Sequence, residues 1–560
     1  MRCPLVFLCI VLLFSSCAQI GMLTGGDADK TPPKVVRYRP DSATTHFNSK
    51  TIEITFDEFI QIQELTSQLI ISPPLEFNPE ITLKKKTLVI ELDKKEVLKP
   101  NTTYSISFGN AVKDIRESNA LENFRYIFST GPYIDSLTLS GAVEYAFDHK
   151  AEKSILVMLY RDMNDSTIYK NLPDYFAKTN DAGFFALTNI RQGKYHIVAL
   201  KDENSNYKYN DDERFGFISD PVEAGAKDPV VISLYTESPK RIFVKKSTQV
   251  QYGKFILAFN RGTDSLDINV LNKEALKGVK ELTEYSKARD TITYWIDPVD
   301  KDSLILQVKN GASVIDTLNF KLLKRESATK YSRTPFKLTL ANVTSAQTFD
   351  LNKELQFIFT HPIEKINEGA TVIFKEDSVT YSRYPLIFTK SDTRTDAVKI
   401  ITSQKINAKG SAAKSSRNML LKENTTYTLT IPPASFTDFY GLTNDTIKMK
   451  FRTKEEKFYG SVKLDITTVS TGNYIVQLLD ERENVIRESK IATSESIFYD
   501  YLYPATYRLK VIFDKNANGK WDEGNYQKKL QPEKVIFNSE PVNIRSNWDL
   551  ELEWKITEPE

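Results

Sequence analysis

Cysteine is almost missing from these 560 residues: Cys3, Cys9 and Cys17 are all there are, and all sit at the start. Beyond position 17 no disulfide can form, so packing and bound ions are left as sources of stability. Histidine is nearly as scarce. His46, His149, His196 and His361 are the full set, scattered along the chain, which argues against a histidine-built zinc or iron centre. His196, inside the run KYHIVAL, reads as a packing residue. Charge of one sign is lacking as well: the net charge is +2 with acids and bases interspersed, so no basic field draws the chain to nucleic acid. Catalytic signatures are missing too, with no G-x-S-x-G elbow, P-loop or H-E-x-x-H. Adjacent acids such as Asp57-Glu58 and Asp211-Asp212 would point to opposite faces of a strand rather than work as a pair. No enzyme is expected.

What is present is rich in strand formers, with 27 Tyr, 32 Phe and frequent Thr, Val and Ile. TIEITF, KTLVIEL, TYSISF and FRYIFST alternate apolar and polar residues with the period of half-buried strands. Breakers such as Ser72-Pro73-Pro74 and Lys99-Pro100-Asn101 separate such runs. The pattern predicts an all-β chain of several β-sandwiches in series. At the start, Arg2, an apolar stretch from Leu5 to Phe14 and Ser15-Ser16-Cys17 describe a secretory signal, too short to span a bilayer. Two small residues before Cys17 resemble the lipobox of bacterial lipoproteins, which implies lipidation of Cys17. Phe14 departs from the aliphatic residue usual there. A polar tether follows to residue 30.

The chain repeats itself. LKPNTTYSISFGNAVKDIRESNALENFRYIFSTG, from Leu98, is echoed by LKENTTYTLTIPPASFTDFYGLTNDTIKMKFRTK, from Leu421. TIEITFDEFI, from Thr51, parallels ELQFIFTHPI, from Glu354. After each copy comes a second kind of segment, GKYHIVALKDENSNYKYN in the first and ATYRLKVIFDKNANGKWD in the second. Tyr195 precedes Asp202 by the same seven positions that separate Tyr507 from Asp514. The expected organisation is a signal at 1–16, a tether at 17–30 and sandwiches at 31–131, 132–237, 238–328, 329–454 and 455–560. The PNTTY…F-x-ST pattern resembles bacterial Ig-like domains. DAGFFALTNIRQGKYHIVALKD resembles the prealbumin-like, or carboxypeptidase-regulatory-like, sandwich. The whole arrangement is similar to Ig-like-domain lipoproteins of Bacteroidota.

Two polar loops follow apolar runs at matching places. In the first, Asp202, Asn204 and Asn206 occupy positions 1, 3 and 5 of a twelve-residue calcium loop. The Lys208 backbone oxygen falls at 7, Asn210 at 9 and Glu213 at 12. Tyr207 stands at 6, where glycine would make the sharp turn at less cost. In the second, Asp514, Asn516 and Asn518 repeat the spacing, Gly519 supplies the turn, and Lys520 and Asp522 fall at 7 and 9. Position 12 is Asn525, with Glu523 as its stand-in. Six to eight oxygens without sulfur or imidazole suit structural calcium of modest affinity. The competing reading is a pair of Asn/Asp-rich turns, which the same residues favour; their duplication favours the ion.

Six Asp-Ser/Thr-aliphatic triplets, at Asp135, Asp264, Asp290, Asp302, Asp316 and Asp445, resemble the O-glycosylation motif of exported Bacteroidota proteins. A turn leading into a strand explains them equally well. The Asn-Thr-Thr runs at Asn101 and Asn424 read as chemistry of strand starts. The family resemblance implies a non-enzymatic, lipid-anchored envelope scaffold on the outer membrane. Its expected partners are other envelope proteins, an outer-membrane β-barrel assembly or transport complex among them. The alternative is a surface adhesin or carbohydrate-binding lipoprotein, with Trp521 as candidate platform unless it packs the loop onto its sheet. Ala18-Gln19-Ile20-Gly21 lacks the acids common after the Cys of surface lipoproteins, so both faces of the membrane stay open, the cell surface slightly favoured.

Overall fold

Alternation in the sequence becomes two-sided sheet. The computed structural model describes residues 29–558 except 211, 240, 298–301, 323–335, 341–346, 354–355, 368–370, 377–379, 386, 392–393 and 402–420. Cys17 and the expected signal before it therefore lie outside the described residues. TIEITF forms the strand Thr51–Phe56, whose Ile52, Ile54 and Phe56 are buried while the residues between face outward. Such strands need a second sheet to cover the apolar face, and the protein is accordingly all-β, a series of β-sandwiches. Among the described residues helix is limited to single turns, such as Leu65–Gln68 and Thr167–Lys170.

The chain divides into two compact units. Among described residues the first takes 29–144, 150–209 and 215–234; the second takes 145–149, 210–214 and 235–558. In the first unit, Val35–Arg39, Thr51–Phe56, Thr87–Glu91 and Glu80–Lys84 form one sheet in that order. Ile70–Ser72, Thr103–Gly109 and Phe124–Ser129 form the facing sheet. The register sets Ile52 opposite Ile90 and Ile54 opposite Leu88, both fully buried pairs. The same unit carries an antiparallel run of Tyr175–Lys178, Leu156–Tyr160 and Lys194–Leu200, together with Phe184–Ile190.

In the second unit, Val244–Gln251, Lys254–Phe259, Thr291–Asp297 and Lys280–Tyr285 face Leu266–Val270, Ser303–Asn310 and Ser313–Lys321 across a core of Phe255, Leu257, Ile292 and Leu306. Near its end, Gly460–Thr468 lies between Glu495–Leu502, antiparallel, and Asp549–Ile556, parallel. The opposite layer is Val485–Ile491, Tyr474–Leu479, Ala505–Phe513 and Val535–Phe537.

The repeated sequence is a repeated hydrogen-bond device. The Tyr104 hydroxyl accepts the Lys99 backbone N–H at 2.8 Å, and Tyr427 accepts that of Lys422 at 2.8 Å. Thr130 accepts the Thr102 N–H at 3.0 Å and donates to the Lys99 carbonyl at 2.7 Å. Thr453 does the same with Thr425 and Lys422, at 3.0 and 2.6 Å. Asn101 and Asn424 between them turn the chain with left-handed φ of 48° and 50°, a conformation asparagine tolerates. The Asn-Thr-Thr runs are thus the fixed start of a core strand. Burial pushes the Tyr104 hydroxyl up to about 12, so it stays neutral in its bond. Tyr104→Phe or Tyr427→Phe leaves a backbone N–H without its partner and should cost about 1–2 kcal/mol in urea unfolding.

A second polar knot lies in the second unit. Asp350, 5% exposed at its side chain, accepts hydrogen bonds from Tyr459 at 2.8 Å and Tyr503 at 2.7 Å, and pairs with Lys454 and Lys353 at 3.1 Å each. Burial pushes the carboxyl up, but Tyr503, Tyr459, Lys454 and Lys353 together hold it below the ordinary value. A lowered folded-state pKa means stability that is complete above the unfolded value and lost as pH falls through the folded one. Asp350→Asn should therefore cost about 2 kcal/mol at neutral pH, and the gap to the natural protein should close as pH falls through the lowered folded-state value, as read by unfolding at stepped pH.

Candidate metal loops

Each loop leaves the sheet from a strand buried at its end. Lys194–Leu200 is buried from Tyr195 to Leu200 and ejects the chain at Lys201; Ala505–Phe513 is buried from Leu509 to Phe513 and ejects it at Asp514. The tyrosines seven positions upstream act alike: Tyr195 donates to the Arg191 carbonyl at 2.8 Å, and Tyr507 to the Tyr503 carbonyl at 2.9 Å.

The loops match atom for atom over their first half. Asp202 Oδ1 accepts the Asn206 N–H at 3.2 Å and its Oδ2 the Tyr207 N–H at 2.8 Å. Asp514 Oδ1 accepts that of Asn518 at 3.1 Å and its Oδ2 that of Gly519 at 2.7 Å. Asn204 and Asn516 each accept the N–H two residues on at 3.0 Å. Asn206 accepts from Lys208 at 2.7 Å, and Asn518 from Lys520 at 3.0 Å. The alternate spacing thus makes a ladder of side-chain turns. Every oxygen in it has a second lone pair, so the same set retains capacity for a hard cation.

The sharp turn also falls where expected. Tyr207 and Gly519 have φ of 59° and 78°. Tyrosine takes this strained region, and its ring meets Phe176 edge-on at 4.9 Å, a contact that glycine could not make.

The second halves differ. Glu213 is buried and accepts both the backbone N–H and the side-chain amide of Asn210 at 3.0 Å, joining positions 9 and 12. In the second loop Asn525 instead makes a turn, exchanging backbone bonds with Leu530 and accepting the Lys528 N–H at 2.9 Å. Glu523 is engaged by the Ser238 hydroxyl. The acid that faces this loop is Glu533, which sequence reasoning missed. It accepts the N–H of Lys515 at 2.7 Å and of Asp522 at 3.2 Å. Burial raises its pKa, and the charges of Asp522 and Asp514 add to the effect. Asp522 in turn receives the side-chain amides of Asn516 and Asn518. Glu533 lies beyond any twelve-residue template, so no spacing could have found it. Among the described residues, no group of three or more His, Cys, Asp or Glu side chains converges as a ready metal centre.

Trp521 packs rather than presents itself. Its indole N–H donates to the Glu533 carbonyl at 2.9 Å, and its ring meets Phe147 edge-on at 5.1 Å. His196 is buried, in keeping with its reading as a packing residue. His361 is fully buried and bonds Asp438 at 2.7 Å, a pairing that no spacing announced. The Trp295 and Tyr440 rings wall it in, so it has no route to a substrate. Of the Asp-Ser/Thr triplets, Asp290 serves a turn, accepting from Ser286 and Thr291, whereas Asp135 accepts from Thr103 on a distant core strand.

Residues 29–130 match the family of bacterial Ig-like domains. No curated protein matches the chain. Among solved structures, the Bacillus anthracis TIE protein is 10% identical with a TM-score of 0.15, covering 95% of this chain and 76% of its own. Domains 1–6 of the surface layer protein SbsC are 10% identical at 0.14, covering 92% and 67%. BcpA, the major pilin subunit of Bacillus cereus, is 9% identical at 0.13, covering 75% and 99%. Scores this low carry no argument about function. No helix of the described residues is long and apolar enough to cross a membrane.

Proposed function

We propose that this chain is a non-enzymatic envelope scaffold of a Bacteroidota-type bacterium, held at the outer membrane by a lipid on Cys17, its sandwiches offering interaction surfaces to other envelope proteins. The observation that carries the reading is the duplicated use of polar side chains to hold backbone. The devices at Tyr104 and Tyr427, and the ladders at Asp202 and Asp514, spend their polar groups on rigidity rather than on a reactive cleft. The Ig-like match over residues 29–130 supports an extracytoplasmic sandwich protein. A β-barrel assembly or transport complex is the proposed partner, on family resemblance alone. The adhesive alternative loses Trp521 as a platform, since that ring is committed to packing.

Calcium is part of the proposal. In the second loop Asp514, Asn516, Asn518 and Asp522 supply oxygens beside Glu533, and in the first Asp202, Asn204 and Asn206 do so. Burial and the charges of Asp522 and Asp514 raise the pKa of Glu533, a cost that a divalent counter-charge would offset. Calcium at ten times Kd should add about 1.4 kcal/mol per site. The expected outcome is a calcium-dependent rise in melting temperature, reversed by chelator and reduced by Asp514→Asn or Asp202→Asn; curves that ignore calcium would remove the ion from the proposal. For the location, protease treatment of intact cells should cleave the chain, while Cys17→Ser should release it from membranes. A chain that stays membrane-bound after that substitution would refute the anchor.

A further inference from the structure

Within the first unit a cleft of about 490 Å³ opens between the strands Ile70–Ser72, Thr103–Gly109 and Phe124–Ser129 on one side and Tyr175–Lys178 and Phe184–Ile190 on the other. That volume falls within the roughly 300–1,000 Å³ of small-molecule sites, which favour such junctions. The alternation that sends Tyr104, Ile106 and Phe108 into the core sends Ser105 and Ser107 into the cleft. By the same rule Arg125 and Lys178 enter it, and no acid lines it.

The two serine hydroxyls and Arg125 are held ready without being consumed. Ser105 is 8% exposed, yet neither its hydroxyl nor that of Ser107 has a partner among the described residues. Arg125 touches the Thr188 hydroxyl at 3.4 Å and pairs with no carboxylate among the described residues. Lys178 is partly buried, and burial pulls its pKa down, with Asp202 opposing. Two cations facing a wall of hydroxyls make a site for an anion rich in oxygen. The floor is small and apolar, with Ala177 and Ala186, which lets the flat C–H face of a sugar ring approach. Phe176 lies in the wall but is 3% exposed, so it offers no face for stacking a nucleobase.

We infer that this cleft binds an acidic saccharide, with Arg125 and Lys178 taking its carboxylate or sulfate and Ser105, Ser107 and Thr188 its hydroxyls. The inference does not rest on the scaffold reading, since the anchor does not enter the cleft.

The test is calorimetric titration of the full chain with tetragalacturonate, its methyl-esterified neutral counterpart, a sulfated chondroitin tetrasaccharide and inorganic sulfate. At least one acidic oligosaccharide should bind saturably, at least tenfold tighter than the methyl ester and than sulfate alone. Arg125→Ala and Lys178→Met should each weaken it tenfold or more. Lys178→Arg should restore binding to within a few fold, which separates loss of charge from loss of fold. Raising salt from 50 to 300 mM should weaken binding several-fold. The inference is overturned if neither acidic oligosaccharide binds, if the ester binds as tightly, or if the charge-removing variants, melting like the natural protein, bind unchanged.

Discussion

A backbone N–H buried at the start of a core strand must find an acceptor, and much of this architecture follows from how that is done. Without disulfides, a sandwich made of short strands keeps its register only if each strand is fixed where it begins. Here a tyrosine hydroxyl and a threonine hydroxyl take the orphaned groups of the preceding turn, at Tyr104 and Thr130 and again at Tyr427 and Thr453. A single neutral hydrogen bond is worth about 1 kcal/mol net, but leaving the group unmet costs more. The device therefore decides between registers more than it adds stability. With register fixed, alternation does the rest: Ile52 meets Ile90, Ile54 meets Leu88, and the polar halves of the same strands turn outward.

The polar halves are where interaction chemistry becomes available. The Thr103–Gly109 strand puts large side chains into the core on one face and Thr103, Ser105 and Ser107 on the other. A covered face would normally be apolar. This one is hydroxylated and flanked by Arg125 and Lys178, which is why the junction retains a cleft instead of closing as a second core. Two other polar clusters are committed to partners within the fold. Asp350 engages four donors, and His361 and Asp438 are sealed behind aromatic rings.

The sequence carries local geometry well and long-range pairing poorly. Period-two runs gave the strands; Asn-Thr-Thr gave the strand starts; the alternate Asp and Asn gave both side-chain ladders, including the strained turn at Tyr207. These are interactions within five residues, or across one hairpin, and a single sequence encodes them directly. Glu533 beside Asp514, Asp438 beside His361, and Tyr503 beside Asp350 are different in kind. Each joins residues that only the folded sheets bring together. A template of fixed length finds Asn525 and passes over Glu533 for that reason.

Comparing the two loops shows what duplication preserves. Their first halves share the same four side-chain bonds to backbone N–H although position 6 is tyrosine in one and glycine in the other. The conformation is thus imposed by the Asp and Asn acceptors, and the residue at the turn adapts, Tyr207 offsetting strain with its contact to Phe176. Their second halves diverge: Glu213 meets Asn210, whereas Asn525 is given to a separate turn and Glu533 approaches Asp522 from the returning strand. Glu213 closes a turn with Asn210, and Glu533 ties the returning strand to Lys515 and Asp522, so each buried carboxylate offsets its desolvation with hydrogen bonds of its own. Duplication thus preserves the ladder and leaves open which residue closes the loop behind it.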